Sequence, residues 1–178
     1  MASFGHLAAG LAGARWYTRA PSLRADALRA ALGFTFLSFL PDIDVVTMFM
    51  GIPCEVWYGH RGATHSPFVA ALLGIIAGRV ARSRGRPFFR TAMIAFVVTA
   101  SHGVFDALTD GGSGIGFLWP LSNERFFFPW RPIPVSPVGH YFLSARGLSI
   151  FLFEMLFFAP LTIWALWPHR RGVSHEAR

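Results

Sequence analysis

Long runs of apolar residues are separated along this chain by short polar segments, and most of the runs have the length of a helix. Pro41 should stop the second run, because proline disfavours helical geometry in the residue before it. The last run is about 20 residues long, so we expect it to be the best full transmembrane span. Together the runs predict four or five helices, at residues 4–17, 25–40, 67–80, 88–108 and 148–167.

The segment 109–147, between the last two helices, is rich in glycine and proline and contains the motifs GGSG and RPIPVSP. A long loop of this kind inside a compact domain is usually functional. We therefore predict a single domain over residues 1–178 in which this loop covers a site. Before the third helix, Ser66 is a residue type favoured at an N-cap and Pro67 one favoured in a first helical turn.

The composition places these helices in a membrane. Hydrophobic residues make up 53% of the chain and charged residues only 14%, which is more apolar than a soluble domain of this length. The predicted fold is therefore all-α, a membrane-embedded helical bundle with a long extracytoplasmic loop. Cys54 is the only cysteine, so an internal disulfide and a thiolate metal cluster are excluded. A metal would have to be held by nitrogen and oxygen.

The positive charge of the chain suits membrane orientation better than binding to nucleic acid. All sixteen basic residues are arginine. Given the direction of each helix, twelve of them fall at one end of the bundle, and the positive-inside rule makes that end cytoplasmic. The protein should therefore be multi-pass, with its other end extracytoplasmic and no nucleic-acid partner. The twelve are Arg15, Arg19, Arg24, Arg29, Arg79, Arg82, Arg84, Arg86, Arg90, Arg170, Arg171 and Arg178.

Seven acidic and imidazole side chains interrupt the apolar pattern at the opposite ends of the same helices. Ionisable groups near a bilayer are costly, so we expect them to pair with one another or to bind a ligand. Imidazole and carboxylate groups are ligands of zinc and similar divalent ions. The seven residues are His6, Asp42, Asp44, His60, His65, His102 and Asp106.

Two motifs contain the strongest candidates for metal ligands. In HGVFD, His102 and Asp106 are four residues apart on one face of a helix, where they can chelate one ion. The alternative is a buried hydrogen bond between them. In PDID, Asp42 and Asp44 have no basic residue in register to neutralise them, which favours a cation as their partner. A helix cap in a solvated loop is the alternative, and it suits one of the two better than both.

The HRGATHS motif combines two imidazoles with a guanidinium and a hydroxyl. One of His60 and His65 could coordinate a metal while the other acts as an acid, a base or a hydrogen-bonding group. Arg61 could bind an anion, or its side chain could instead snorkel to the membrane interface. Ser66 is a weak candidate for a nucleophile, because no hydrolase elbow surrounds it. His6, alone on an apolar helix, could equally be a core histidine.

The order of these motifs resembles a known family. A glycine and histidine near the N-terminus, PDID, HRGATHS, HGVFDALTDGG and a proline-rich loop with arginine follow one another from Gly5 to about Pro137. They resemble the membrane-bound, LexA-regulated, metal-dependent hydrolases of bacterial inner membranes. The resemblance implies a multi-spanning inner-membrane protein with a divalent metal site and hydrolase activity.

The histidines and aspartates are also similar in order, more distantly, to those of zinc-dependent phospholipase C and related nucleases, helical enzymes that cut phosphoesters. The chain departs from those enzymes in lacking a later HxxxE motif, since His140 and Glu154 lie fourteen residues apart. We therefore expect one or two divalent ions, most readily zinc, rather than three. The ligands that this similarity implies are His6, Asp42, His65, His102 and Asp106.

The predicted activity is hydrolysis, by metal-activated water, of a phosphoester in a lipid or another membrane-proximal substrate. Asp44 would be both a ligand and the base, with His60 and Arg61 as the other catalytic residues. Arg125 and Arg131 would bind the anionic head group, because a guanidinium presents a planar fork to phosphate. One alternative is a metal or proton transporter, which would need polar residues at helix centres. Another is a non-catalytic membrane protein with a structural metal in closed coordination.

Overall fold

The structure is a computed structural model that describes residues 3–18 and 24–167. Within those residues the fold is all-α, as predicted, and two isolated β-bridges occur in the long loop. The helices are α1 (Ser3–Tyr17), α2 (Arg24–Phe39), α3 (Val45–Phe49), α4 (Pro67–Ser83), α5 (Phe88–Ala107), α6 (Ala145–Phe157) and α7 (Ala159–Leu166). Short 3₁₀ helices occur at Leu40–Asp44, Ala63–His65 and Gly139–Leu143.

Small residues allow the helices to pack closely as two hairpins, α1 with α2 and α4 with α5. A Cβ atom on Gly10 would lie 2.4 Å from Cα of Thr35, and one on Gly74 would lie 2.7 Å from the carbonyl oxygen of Ala92. The two hairpins join where α1 and α2 pack against α5, around a buried apolar core. Close backbone approach through glycine is typical of helix pairs in membranes.

The second α-helix ends at Phe39, as predicted from Pro41, but the helical rod that contains it extends further than predicted. The chain passes from α2 through the turn Leu40–Asp44 into α3, and Ala25–Phe49 is long and apolar enough to cross a membrane. Pro41 is tolerated because it lies in the first turn of the 3₁₀ segment, where a missing N–H costs little. The segment that carries Asp42 and Asp44 is therefore part of a continuous helical rod.

The predicted single helix over residues 148–167 is broken, because the chain bends by 61° between α6 and α7. Pro160 lies in the first turn of α7; it lacks an N–H, and its ring clashes with the carbonyl of Leu156 in a continuous helix. α6 begins earlier than predicted, since Ser144 caps it by accepting a hydrogen bond from the backbone N of Gly147 at 3.1 Å. Among the described residues, Ala25–Phe49 and Phe88–Ala107 can each cross a membrane, and the bent pair could form a third span.

The arginines and the histidine–aspartate residues lie at opposite ends of the bundle. At the arginine end, Nη2 of Arg86 donates to Asp26 at 2.9 Å, and Nη2 of Arg90 donates to the carbonyl oxygen of Trp16 at 2.9 Å. These contacts join the end of α1 to the starts of α2 and α5. Some arginines of the predicted orientation lie outside the described residues, namely Arg19, Arg170, Arg171, Arg178 and the side chain of Arg24.

Candidate metal centre

Four segments of the chain meet at the other end of the bundle and form one buried cluster. Each of its seven side chains belongs to a residue that is at most 8% exposed, so water is largely removed from their charges. In chain order the segments are α1 with His6, the turn after α2 with Asp42 and Asp44, the segment before α4 with His60 and His65, and the end of α5 with His102 and Asp106.

Two imidazole nitrogens and two carboxylate oxygens face one another at the centre of the cluster. Nε2 of His65 lies 3.6 Å from Oδ1 of Asp42 and 3.6 Å from Oδ2 of Asp106. Nε2 of His102 lies 3.3 Å and 3.9 Å from the same two oxygens. All four distances exceed the ~2.7–3.2 Å of an N–H···O hydrogen bond. Ligands of a tetrahedral zinc at ~2.0–2.1 Å stand roughly 3.3–3.4 Å apart, so this central gap has the dimensions of a metal site.

Several atoms around the central gap make no hydrogen bond within the described part of the chain. They are both carboxylate oxygens of Asp42 and the Nε2 atoms of His65 and His102. Buried polar groups are almost always paired, and a buried charge without a partner is strongly destabilising. A cation in the gap could bind a carboxylate oxygen of Asp42 and both Nε2 atoms at once.

The other nitrogen of each imidazole is held by the protein. Nδ1 of His102 lies 2.7 Å from the carbonyl oxygen of Ser38, and because a carbonyl only accepts, Nδ1 carries the proton. Nε2 of the neutral ring then has a lone pair directed at the gap. Nδ1 of His65 lies 3.2 Å from Oδ2 of Asp44, which orients that ring in the same way. Contacts of this kind fix the tautomer and orientation of metal-binding histidines.

Asp44 is engaged through both of its oxygens. Oδ1 accepts a hydrogen bond from Nδ1 of His60 at 2.7 Å, and Oδ2 accepts from the backbone N of Arg61 at 3.1 Å and from the Thr64 hydroxyl. These contacts favour a positioning role for Asp44. Asp42, Asp44 and His60 nevertheless form a second set of ligand atoms that lie within 4.8 Å of one another. A second ion would fit there.

Arg61 is buried inside the cluster and only 2% exposed, which contradicts the alternative of a snorkelling side chain. Its Nε lies 3.2 Å from Oδ2 of Asp106, Nη1 donates to the carbonyl oxygen of Gly111 at 2.8 Å, and Nη2 donates to the Thr109 hydroxyl at 3.2 Å. Its backbone φ is 65°, a left-handed conformation that is uncommon outside glycine. Arg61 therefore ties the start of the long loop to Asp106.

Negative charge dominates the cluster and affects the protonation of His65. Burial lowers the pKa of this histidine, but the neighbouring carboxylates of Asp106, Asp42 and Asp44 outweigh burial and raise the pKa to about 10. Carboxylates that hold a proton on an imidazole so strongly would also attract a divalent cation in its place.

The sequence left His6 open between a metal ligand and a core histidine, and it favoured Ser66 as a helix cap over a nucleophile. The ring of His6 stacks on that of His102, with centroids 3.7 Å apart, and its Nε2 lies 3.5 Å from Oδ1 of Asp106. His6 belongs to neither set of candidate ligand atoms. The hydroxyl of Ser66 accepts from the backbone N of Val69 at 3.2 Å and donates to the carbonyl oxygen of Ala63 at 2.7 Å, which is the predicted N-cap.

The two arginines predicted to bind substrate contact backbone carbonyls and an aromatic ring. Arg125 is half-buried, and its guanidinium donates to the carbonyl oxygens of Val56 at 2.7 Å and His60 at 3.4 Å. It therefore stabilises the segment before α4. Arg131 is exposed, and its guanidinium lies 4.8 Å from the centre of the Phe127 ring.

Sequence reasoning missed three polar residues that support the cluster, namely Ser38, Thr64 and Thr109. The hydroxyl of Thr109 donates to the carbonyl oxygen of Asp106 at 2.7 Å and accepts from Arg61. Thr64 lies within the HRGATHS motif, and Thr109 follows the HGVFD motif by three residues. This proximity to the motifs could have identified both threonines from the sequence. Ser38 contributes through its backbone carbonyl, which no side-chain pattern reveals.

Comparison with known proteins assigns the family. The sequence matches the YdjM inner membrane protein family over residues 1–173. The chain belongs to this family. Inner membrane protein YbcI of Escherichia coli (strain K12) is 36% identical to the chain over 142 residues, which cover 76% of this chain and 81% of YbcI. No solved structure matches the chain. The family and the relative confirm the predicted location in the bacterial inner membrane.

Proposed function

We propose that this YdjM-family protein is a metal-dependent hydrolase with a divalent ion in the central gap. The observation that supports it most directly is the buried set of two Nε2 atoms that each lie 3.3–3.9 Å from the same two carboxylate oxygens. Nitrogen and oxygen ligands of this kind suit zinc best among the common ions. When bound, the ion would supply a Lewis acid that activates water and polarises a phosphoryl oxygen. The ligands would be Asp42, His65, His102 and Asp106.

His60 is the residue best placed to move the proton in this reaction. Its Nδ1 donates to Asp44 at 2.7 Å, so Nε2 is the unprotonated nitrogen of the neutral ring. The ring lies 5.7 Å from that of His65, centroid to centroid. His60 would take a proton from water as the water oxygen bonds to phosphorus, and return it to the ester oxygen as the P–O bond breaks. Asp44 would then act through His60, stabilising its imidazolium, instead of serving as the base itself.

The surroundings of the cluster favour a lipid or lipid-linked phosphoester as the substrate. An apolar cleft of about 370 Å³ adjoins the elements that carry His6 and Asp44. Such a cleft suits an acyl or isoprenoid chain, while the phosphoester would reach the ion from the membrane interface. The positive-inside rule puts this face on the extracytoplasmic side. The cleft is lined by Ser3, Val45, Phe49, Pro137, Val138, Gly139 and Phe142.

One observation favours a second candidate, a non-catalytic protein with a structural ion. Four protein ligands complete a tetrahedron, as in structural zinc sites, whereas catalytic zinc keeps a position open. The transporter alternative has less support. Glu154, the acidic residue of the last predicted helix, accepts a hydrogen bond from the backbone N of Phe4 at 2.7 Å. It therefore lies near the start of α1, at the cluster end, and does not extend a polar path through the bundle.

Metal content and turnover, measured separately on purified protein, test the proposal. We expect on the order of one ion per chain by elemental analysis, and metal-dependent hydrolysis of phosphatidic acid or phosphatidylglycerol in vesicles. Asp42→Asn and His102→Gln should lose both properties, whereas the exposed loop variant Glu124→Gln should keep both. His60→Gln should keep the ion and lose roughly 10²–10⁴-fold in rate. An ion without turnover of phosphoester lipids would favour the structural candidate, and metal-free wild-type protein would exclude both.

A further inference from the structure

A groove at the arginine end of the bundle plays no part in the proposed hydrolysis. The helical rise between Arg29 and Asp42 puts it about 20 Å from the metal centre. Its volume is about 520 Å³, within the ~300–1,000 Å³ of typical ligand pockets. α2 forms one wall and α4 the other, and both helices pack on α5 beneath it.

The walls of the groove are apolar. Phe34 and Leu37 of α2 face Ala77 and Val80 of α4 across it. Gly33 also lines the groove, and a Cβ atom added there would meet nothing within 4 Å. Open apolar space of this kind on a helical bundle in a membrane is suited to a lipid chain, which is as apolar as the side chains themselves.

The mouth of the groove carries an excess of positive charge. Arg29, Arg84 and Arg86 line it together with Asp26, so three guanidiniums and one carboxylate give a net charge of +2 (three minus one). Arg86 lies 2.9 Å and Arg29 3.5 Å from Oδ1 of Asp26. The side chains of Arg29 and Arg86 are still 78% and 47% exposed. Their remaining N–H groups are therefore available to a ligand.

We propose that this groove binds one anionic phospholipid of the cytoplasmic leaflet, with an acyl chain between α2 and α4 and the phosphate at the three arginines. Basic pockets between membrane helices on the cytoplasmic side bind anionic head groups, and a guanidinium matches the geometry of phosphate. The mouth lies at the end that the positive-inside rule makes cytoplasmic. The site is independent of the metal centre and of whether the protein is a hydrolase.

Native mass spectrometry of the full chain in neutral detergent, titrated with phosphatidylglycerol or phosphatidylcholine, tests the head-group site. We expect wild-type protein to prefer phosphatidylglycerol by on the order of tenfold. The double variant Arg84→Gln, Arg86→Gln should lose this preference. The control Arg79→Gln, Arg82→Gln removes two exposed arginines of the same region that do not line the groove, and it should keep the preference. Equal binding of both lipids by the wild type would overturn the proposal.

Filling the groove tests the acyl-chain site. Gly33→Leu places a side chain in the open space and should abolish retention of either lipid, and because leucine favours helix over glycine, α2 should persist. Ala25→Leu adds the same bulk at an exposed position of α2 and should have no effect. Unchanged lipid retention in Gly33→Leu would contradict the proposal. If that variant lost a dimer while retaining lipid, the groove would instead be a contact between two copies of the chain.

Discussion

Substitutions of Arg61 can separate two contributions to stability, that of its buried side chain and that of its left-handed backbone conformation. The guanidinium makes an ion pair with Asp106 and hydrogen bonds with Thr109 and the Gly111 carbonyl. The backbone φ of 65° is one that glycine adopts without strain. Arg61→Ala and Arg61→Gly remove the same contacts but differ in their tolerance of this φ.

The expected magnitudes follow from these contacts. Removing one partner of a buried ion pair costs roughly 3–5 kcal/mol, so both variants should be strongly destabilised. A left-handed conformation costs an alanine roughly 1–2 kcal/mol, while the greater freedom of glycine in the unfolded chain costs roughly 0.4–1 kcal/mol. The glycine variant should therefore be more stable than the alanine variant by about 0.5–1 kcal/mol. In an ordinary helix the order would be reversed.

The free energy of unfolding can be measured for both variants by titration with sodium dodecyl sulfate in mixed micelles. Arg146→Ala, an exposed arginine at the first turn of α6, serves as the control and should change stability by less than about 0.5 kcal/mol. An alanine variant as stable as the glycine variant would show that residue 61 does not adopt the left-handed conformation. If the unfolding free energies of both Arg61 variants lay within about 1 kcal/mol of the wild-type value, the buried ion pair would not stabilise the cluster.

Three further predictions concern protonation, capping and orientation. Because the pKa of His65 is raised to about 10, a bound ion must displace the proton of this histidine. The apparent Zn²⁺ affinity should therefore rise about tenfold per pH unit up to that pH. An affinity that stops rising near pH 6.5, the ordinary pKa of histidine, would contradict this. Ser66→Ala should cost about 1 kcal/mol of stability through the lost cap and leave any turnover intact, and a loss of turnover with metal retained would instead support the nucleophile. Ser83→Cys in a Cys54→Ser background should be shielded from an impermeant thiol reagent in intact cells, and rapid labelling would invert the orientation.

The helices and the position of the cluster were predictable because a membrane imposes strong constraints on a sequence. Charged residues such as Asp42 and Asp106 are so costly beside apolar helices that their presence marks a site. The bend at Phe158 and the continuation past Pro41 were not predictable in the same way. Proline interrupts hydrogen bonding in either case, and neighbouring helices decide whether the chain bends or continues.

The roles of the arginines depended on tertiary contacts that a sequence does not show. Arg61 and Arg125 have the residue type of anion ligands, yet both donate to backbone carbonyls of loops. Such partners have no side-chain signature and depend on how the loops fold. The same holds for His102, whose tautomer is set by the carbonyl oxygen of Ser38.

The central gap draws its atoms from three helical units that are far apart along the chain. Asp42 precedes His65 by 23 residues, and His65 precedes Asp106 by 41. An ion held there would act as a cross-link that closes two long loops and lowers the chain entropy of the helices before they pack. Helices of a membrane protein insert before they assemble. The ion would therefore bind late in folding, after the helices have inserted. Completion of this end of the bundle would then depend on the metal supply of the compartment that it faces.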